Sequence, residues 1–291
     1  MAETKPTATA SVKATSVQTK KSSNAISWLA PIICLIAGYL IWRFILGDAD
    51  GFNQPDKSGA MFWPKHDKPK GALSGIYMGG IIIPVLIGMF LMVVTFSIER
   101  LLTIMKALGS GSIADFIRKV QYHLANRNVD AAIAECDKQR GSVANVMRAG
   151  LRRYKEMTTN TELSTDQKVL AIQKEVEEAT ALELPMLQKN LVFLSTITSV
   201  GTLIALLGTV MGMIRSFSAL GDASGGASAA TELAVGISEA LYNTALGIGT
   251  SAVAIIMYNF FTSRIDNITY GIDEAGYSIV QSFASRYKEQ K

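Results

Sequence analysis

The sequence predicts an all-α integral membrane protein with four transmembrane helices and long helical extensions on the cytoplasmic side. Three observations carry this. Apolar residues make up 49% of the 291 and charged residues only 18%, below the roughly 25% charged of soluble domains. The apolar residues are gathered into four runs of about 20, the length that crosses a bilayer as a helix. Lys and Arg avoid some connecting segments and crowd into others.

Residues 1–27 are polar and rich in Ser, Thr and Lys. They are expected to form a disordered tail rather than a cleavable signal peptide. The first span is expected at 28–46, with Pro31 tolerated in its first turn and Arg43 snorkelling at its end. Segment 47–75 contains Gly51, Pro55, Gly59, Pro64, Pro69 and Gly71, the composition of a loop. Trp63 and Tyr77 suit the outer membrane interface or ordinary core packing equally well. The second span, 76–98, ends at Glu99-Arg100, and Pro84 is expected to kink it.

Residues 99–190 form the main extramembrane region. Ile113, Phe116, Ile117, Val120 and Leu124 share one helical face. Asn128 is a suitable cap for the next helix, and Gly141-Ser142 a break after it. Residues 165–190 are rich in Glu, Lys and Leu, and the helix they predict is expected to run into the third span, with a bend at Pro185. Glu175, Glu177, Glu178 and Glu183 read as a solvated face. The third span is expected at 191–218, a short loop at 219–232, the fourth span at 233–263 and a tail at 264–291.

Charge sets the orientation. Residues 99–190 carry fourteen Lys and Arg, each tail carries four, the loop 47–75 balances four Lys with four Asp, and the loop 219–232 has no basic residue. Basic segments stay inside, so both termini and the 99–190 region are expected to be cytoplasmic; an even number of spans requires the same of the termini. The net charge of +4 follows the loops and does not suggest nucleic acid. Cys34 in a span and Cys136 in the cytoplasmic region do not read as a disulfide pair. His66 and His123 stand alone, no metal-ligand spacing occurs and no nucleotide-binding or hydrolase motif is present, so neither an enzyme nor a cofactor is expected.

The last two spans hold the most information. Ser195, Thr198, Thr202, Ala205, Thr209, Gly212 and Ser216 recur at helical spacing, as do Gly236, Ala240, Thr244, Gly247, Ser251, Ala254 and Tyr258. Gly208 and Gly212 form a small-xxx-small pair. Such stripes serve either close helix packing or a polar path, and Thr hydroxyls can also satisfy themselves on their own backbone. Glu239 is the one acid in the fourth apolar run. It suits either a pathway role or an ion pair with Arg215, since the short loop 219–232 puts both at the outer side.

The run 206–217, LLGTVMGMIRSF, and the run 236–247, GISEALYNTALG, followed by Tyr258-Asn259-Phe260, resemble the MotA/TolQ/ExbB proton-channel family, nearest to ExbB and TolQ. The likeness covers roughly 76–285. It implies an inner-membrane subunit in an oligomeric ring, typically a homopentamer, around two spans contributed by a dimer of an ExbD-like single-span protein. An aspartate of that partner would carry the proton, and a TonB-like protein would receive the motion. It also implies that Thr209, Thr244, Thr202 and Ser251 face the proton path or the partner. Glu239 would be the intramembrane acid, and Gly208, Gly212, Gly236 and Gly247 would pack the helices. The first span and basic tail are additions to the family's three-span core.

Overall fold

The computed structural model describes residues 24–54, 62, 64, 66–222 and 227–288. Most of the polar tail, Trp63 and part of the 219–232 loop lie outside the described residues. Helices dominate: α1 (Asn24–Ile41), which passes into a π-helical turn (Trp42–Leu46), α2 (Ala72–Tyr77), α3 (Ile82–Leu108), α4 (Ile113–Ala125), α5 (Val129–Gln139), α6 (Ser142–Thr159), α7 (Thr165–Gln188), α8 (Leu191–Asp222) and α9 (Ala227–Lys288). Among the described residues, four helical stretches are long and apolar enough to cross a membrane, beginning at Leu29, Ile82, Leu191 and Ala230.

Several boundaries differ from those the sequence suggested. α1 begins at Asn24, so Pro31 lies inside the helix and not in its first turn. The second span starts at Ile82 rather than Ile76, because α2 closes at Tyr77 and Gly80 turns the chain with φ +70°, a conformation suited to glycine. Pro84 therefore falls in the first turn of α3, where no intrahelical N–H is lost, and the expected kink loses its cause. α3 then continues past Glu99-Arg100 to Leu108.

The segment 47–75 is more than a loop. β1 (Phe52–Gln54) pairs antiparallel with β2 (Asp67–Pro69), Phe52 opposite Pro69 and Gln54 opposite Asp67. This small ribbon closes an aromatic cluster at the end of α1. Trp42 stacks on Tyr77 at 4.4 Å between centroids, and His66 stacks on Phe52 at 4.6 Å. The Tyr77 hydroxyl donates to the Pro64 carbonyl at 2.6 Å. Tyr77 is thus a core residue, not an interfacial one. α1 reaches this position by packing on α3 at a glycine crossing: a Cβ on Gly38 would come within 2.7 Å of the Pro84 carbonyl oxygen.

The expected continuity of the 165–190 helix with the third span does not occur. α7 stops at Gln188, and Asn190 takes φ +66°, a left-handed conformation that Asn tolerates better than most residues. Buried Arg100 holds the break: its Nη1 donates to the carbonyls of Met186 and Leu187 at 3.2 and 3.0 Å. These are last-turn carbonyls without helical partners. Glu99 completes the clamp, accepting from Arg100 Nε at 2.7 Å and from Asn190 Nδ2 at 3.2 Å. Pro185 sits in the last turn of α7 and does not bend a continuous rod.

The continuous rod is α9, 62 residues long and about 93 Å at 1.5 Å per residue. Its apolar first half pairs with α8; its second half packs against α4, α6 and α7. Asn128 caps α5 by accepting from the Ala131 N–H at 3.0 Å, and Ser164 and Gln167 form a capping box on α7. Val176 of α7 lies where a Cβ on either Gly150 of α6 or Gly276 of α9 would stand, at 2.7 Å in both cases, so three helices close on one another there. Tyr154 and Phe283 meet edge to face at 4.9 Å in this core; burying a ring of this size contributes about 2–3 kcal/mol.

Cys136 lies in the same body, with no exposed surface. Burial pushes its thiol up to about 12. The fold therefore favours the neutral thiol, and the stability drawn from it is complete below about pH 9 and lost as the pH climbs towards 12. Maleimide labelling of the native protein at pH 7.5 is expected to spare Cys136 and to reach it only after denaturation; rapid native labelling followed by mass mapping to Cys136 would contradict this burial.

Candidate functional site

The site begins as a packing problem between two charge-poor helices. In hydrocarbon there is no hydrophobic drive to bring helices together, so small residues that let backbones approach decide where they meet. On α8 the contact residues are Gly201, Ala205, Gly208, Gly212 and Ser216; on α9 they are Gly236, Ala240, Asn243, Gly247 and Ser251. A Cβ on Gly212 would lie 2.8 Å from the Gly236 carbonyl oxygen, and one on Gly236 2.9 Å from that of Gly212. A Cβ on Gly247 would come 3.0 Å from the Gly201 oxygen. At these positions any side chain forces the helices apart.

Along one edge of this seam the hydroxyls meet. Thr209 Oγ1 and Thr244 Oγ1 are in direct hydrogen-bond contact, and Thr202 Oγ1 donates to Ser251 Oγ at 3.0 Å. Thr209 and Thr244 each also lie near their own i−4 carbonyls, Ala205 at 3.1 Å and Ala240 at 3.0 Å. A hydroxyl has one proton to donate and two lone pairs. In the Thr209–Thr244 pair one proton therefore crosses the seam and the other goes to backbone, which leaves lone pairs free to accept from an incoming donor. Both threonines are half-buried. Thr209 borders a shallow depression of about 600 Å³ shared with Val210, Met213, Ile214 and Phe217, on a face where Leu203, Leu206, Val210, Ile214 and Phe217 are all exposed.

Glu239 belongs to a second group. Arg215 Nη1 donates to both of its carboxylate oxygens, at 2.7 and 3.0 Å. The carboxylate is 9% exposed and the arginine 55%. Glu239 faces the turn between α2 and α3, where a Cβ on Gly80 would lie 2.7 Å from its Oε1. The candidate residues therefore resolve into a hydroxyl edge (Thr202, Thr209, Thr244, Ser251), a glycine seam (Gly208, Gly212, Gly236, Gly247) and a buried acid paired with Arg215.

Four participants were not singled out from the sequence: Gly79, Gly80, Gly201 and Asn243. The Gly79-Gly80 doublet brings backbone against Glu239, Asn243 lies close to both Gly79 and Gly208, and Gly201 faces Ser251. The signal was there: an amide amid small and apolar residues in the fourth run, and adjacent glycines just before the second.

Taken together, this is a helical membrane protein whose polar chemistry is concentrated on a glycine-packed pair of spans. Residues 138–274 match the MotA/TolQ/ExbB proton channel family, and relatives named ExbB-like, TolQ and ExbB support the same family. The match is narrower than the 76–285 suggested by resemblance but contains both motif runs. Over 88 residues the chain is 39% identical to the putative biopolymer transport protein ExbB-like 3 of Synechocystis, covering 30% of this chain and 42% of that protein. It is 32% identical over 122 residues to the Tol-Pal system protein TolQ of Pseudomonas aeruginosa, covering 42% and 52%. With the biopolymer transport protein ExbB of Aquifex aeolicus it shares 34% over 79 residues, covering 27% and 52%. The chain thus spans about half or less of the length of the curated relatives it matches.

Two outcomes follow from the geometry. Gly212→Val is expected to destabilise the α8–α9 pair by about 1–3 kcal/mol, as overpacking does, read as a lower melting temperature in detergent. Arg215→Met is expected to cost a similar amount, about 1–3 kcal/mol, less than for a fully buried pair because Arg215 is half exposed. Adding Glu239→Gln should recover part of that loss; a double-mutant cycle with no coupling would show that the pair does not contribute.

Proposed function

We propose that this chain is the proton-channel, stator-like subunit of an ExbB/ExbD-type motor in the cell inner membrane, coupling the proton motive force to TonB-dependent outer-membrane transport. It assembles as a homopentameric ring around a dimer of ExbD-like single-span proteins, with a TonB-like protein receiving the motion. Both termini and the α4–α7 region lie in the cytoplasm. The basic residues of 99–190 support that orientation, as does the packing of the second half of α9 against α4, α6 and α7, which keeps them on one side of the bilayer.

The observation that carries the reading is the Thr209–Thr244 contact. It places free acceptor lone pairs at the edge of an otherwise apolar face. A partner carboxylic acid can donate to such a spot when protonated and cross apolar surroundings at low cost, whereas its ionised form is held back by desolvation. Each proton that crosses 100 mV releases about 2.3 kcal/mol, the energy available to turn the partner within the ring. The exposed apolar face of α8 suits a neighbouring subunit, the partner or lipid.

A TolQ-type role in envelope maintenance is the second reading, favoured by the TolQ relatives; a gliding or flagellar stator stands in the same class. A passive scaffold is the reading from another class, favoured by the glycine seam. In vesicles holding the chain with its partner, Thr209→Val is expected to lower proton flux about tenfold or more while the ring stays intact by native mass spectrometry. Unchanged flux in an intact ring would favour the scaffold. The single-span protein that co-purifies separates the TonB-linked system from the Tol system.

A further inference from the structure

We infer that Asn243 is a buried water-binding site, and that the water it holds links Glu239 to the Thr209–Thr244 pair; the link rests on the proton-channel reading, the water site does not. Asn243 has no exposed surface, and among the described residues neither its Nδ2 nor its Oδ1 has a hydrogen-bond partner. An amide brings two donor hydrogens and an acceptor oxygen. Leaving both ends unmade inside a membrane span is strongly unfavourable, and buried polar groups of this kind are regularly satisfied by ordered water.

The walls of the site are glycines. A Cβ on Gly79 would stand 3.0 Å from Asn243 Oδ1, and one on Gly208 2.8 Å from Asn243 Nδ2. At these two positions the neighbouring residue presents backbone rather than a side chain of its own to the amide. Each wall is also the chain neighbour of a residue in one of the two polar groups. Gly79 precedes Gly80, which approaches Glu239 Oε1; Gly208 precedes Thr209, which bonds Thr244. On α9, Asn243 lies four residues from Glu239, about 6 Å along the axis, and next to Thr244. The acid and the hydroxyl pair are hydrogen-bonded to separate partners, and Asn243 is the polar side chain placed between them. Because an amide donates and accepts without titrating, it holds a water in either orientation and does not trap the proton itself.

The direct test is an experimental structure of the ring with its partner, extracted from its own membranes, at a resolution that shows ordered interior waters. Density within hydrogen-bond distance of Asn243 Nδ2 or Oδ1 is expected; none there, with waters seen at other buried polar groups, overturns the site. The link is tested by flux. Asn243→Leu is expected to lower proton flux about tenfold or more, with flux recovered in Asn243→Ser, which keeps a donor and an acceptor; Asn243→Ala replaces the leucine variant if that one does not assemble. Wild-type flux in an assembled Asn243→Leu or Asn243→Ala ring overturns the link. If Thr209→Val and Glu239→Gln also leave flux unchanged, the channel reading itself fails, and the density at Asn243 still decides the water site.

Discussion

The close approach of α8 and α9 is the constraint on which the rest of the structure depends. Gly212 and Gly236 lie against each other's carbonyl oxygens and Gly247 lies against Gly201, so the two helices meet backbone to backbone. That distance brings short hydroxyl side chains into contact across the seam. With larger residues at the glycines, Thr209 and Thr244 would be held apart and their lone pairs would face lipid separately. Packing and chemistry are here two consequences of one set of small residues, and the two readings of the stripes are compatible rather than opposed.

The same seam fixes the acid. Because α9 is drawn onto α8, the next face of α9 is presented to the α2–α3 turn, and Gly79-Gly80 admits backbone where a side chain would collide with Ile83 or Glu239. The ion pair with half-exposed Arg215 then relieves much of the cost of holding a carboxylate in a span. The segment that forms this turn is itself anchored by the first span, through the Gly38 crossing on α3 and the Trp42–Tyr77 stack. The first span thereby supports the surroundings of Glu239.

Beyond the seam, α8 and α9 are connected to the α4–α7 body in different ways. α9 is continuous from the seam to the α6–α7 core, whereas α7 and α8 are separated at Asn190 by the Arg100–Glu99 clamp. α9 thus joins the seam to the α4–α7 body directly, while α8 is joined to that body through a hydrogen-bonded break.

The sequence by itself determined the number of apolar runs long enough to span, their approximate places and most residues of the α8–α9 seam, Gly201 and Asn243 excepted, because apolar run length and a spacing of three to four are properties of a single helix. Asn128 as a cap and Gly141-Ser142 as a break were legible for the same reason: caps and breaks act within a few residues. What depended on contacts distant in the chain was decided only by the tertiary structure. Nothing near residue 190 announces that Arg100, some ninety positions earlier, will end α7 there, and Tyr77 could not be told from an interfacial aromatic until Trp42, Phe52 and His66 closed around it. Glu239 was visible as a lone acid with two possible roles. The ion pair with Arg215 was one of those roles; the separation of Glu239 from the hydroxyl edge and the unsatisfied amide of Asn243 beside it are facts of packing, which a one-dimensional pattern does not carry.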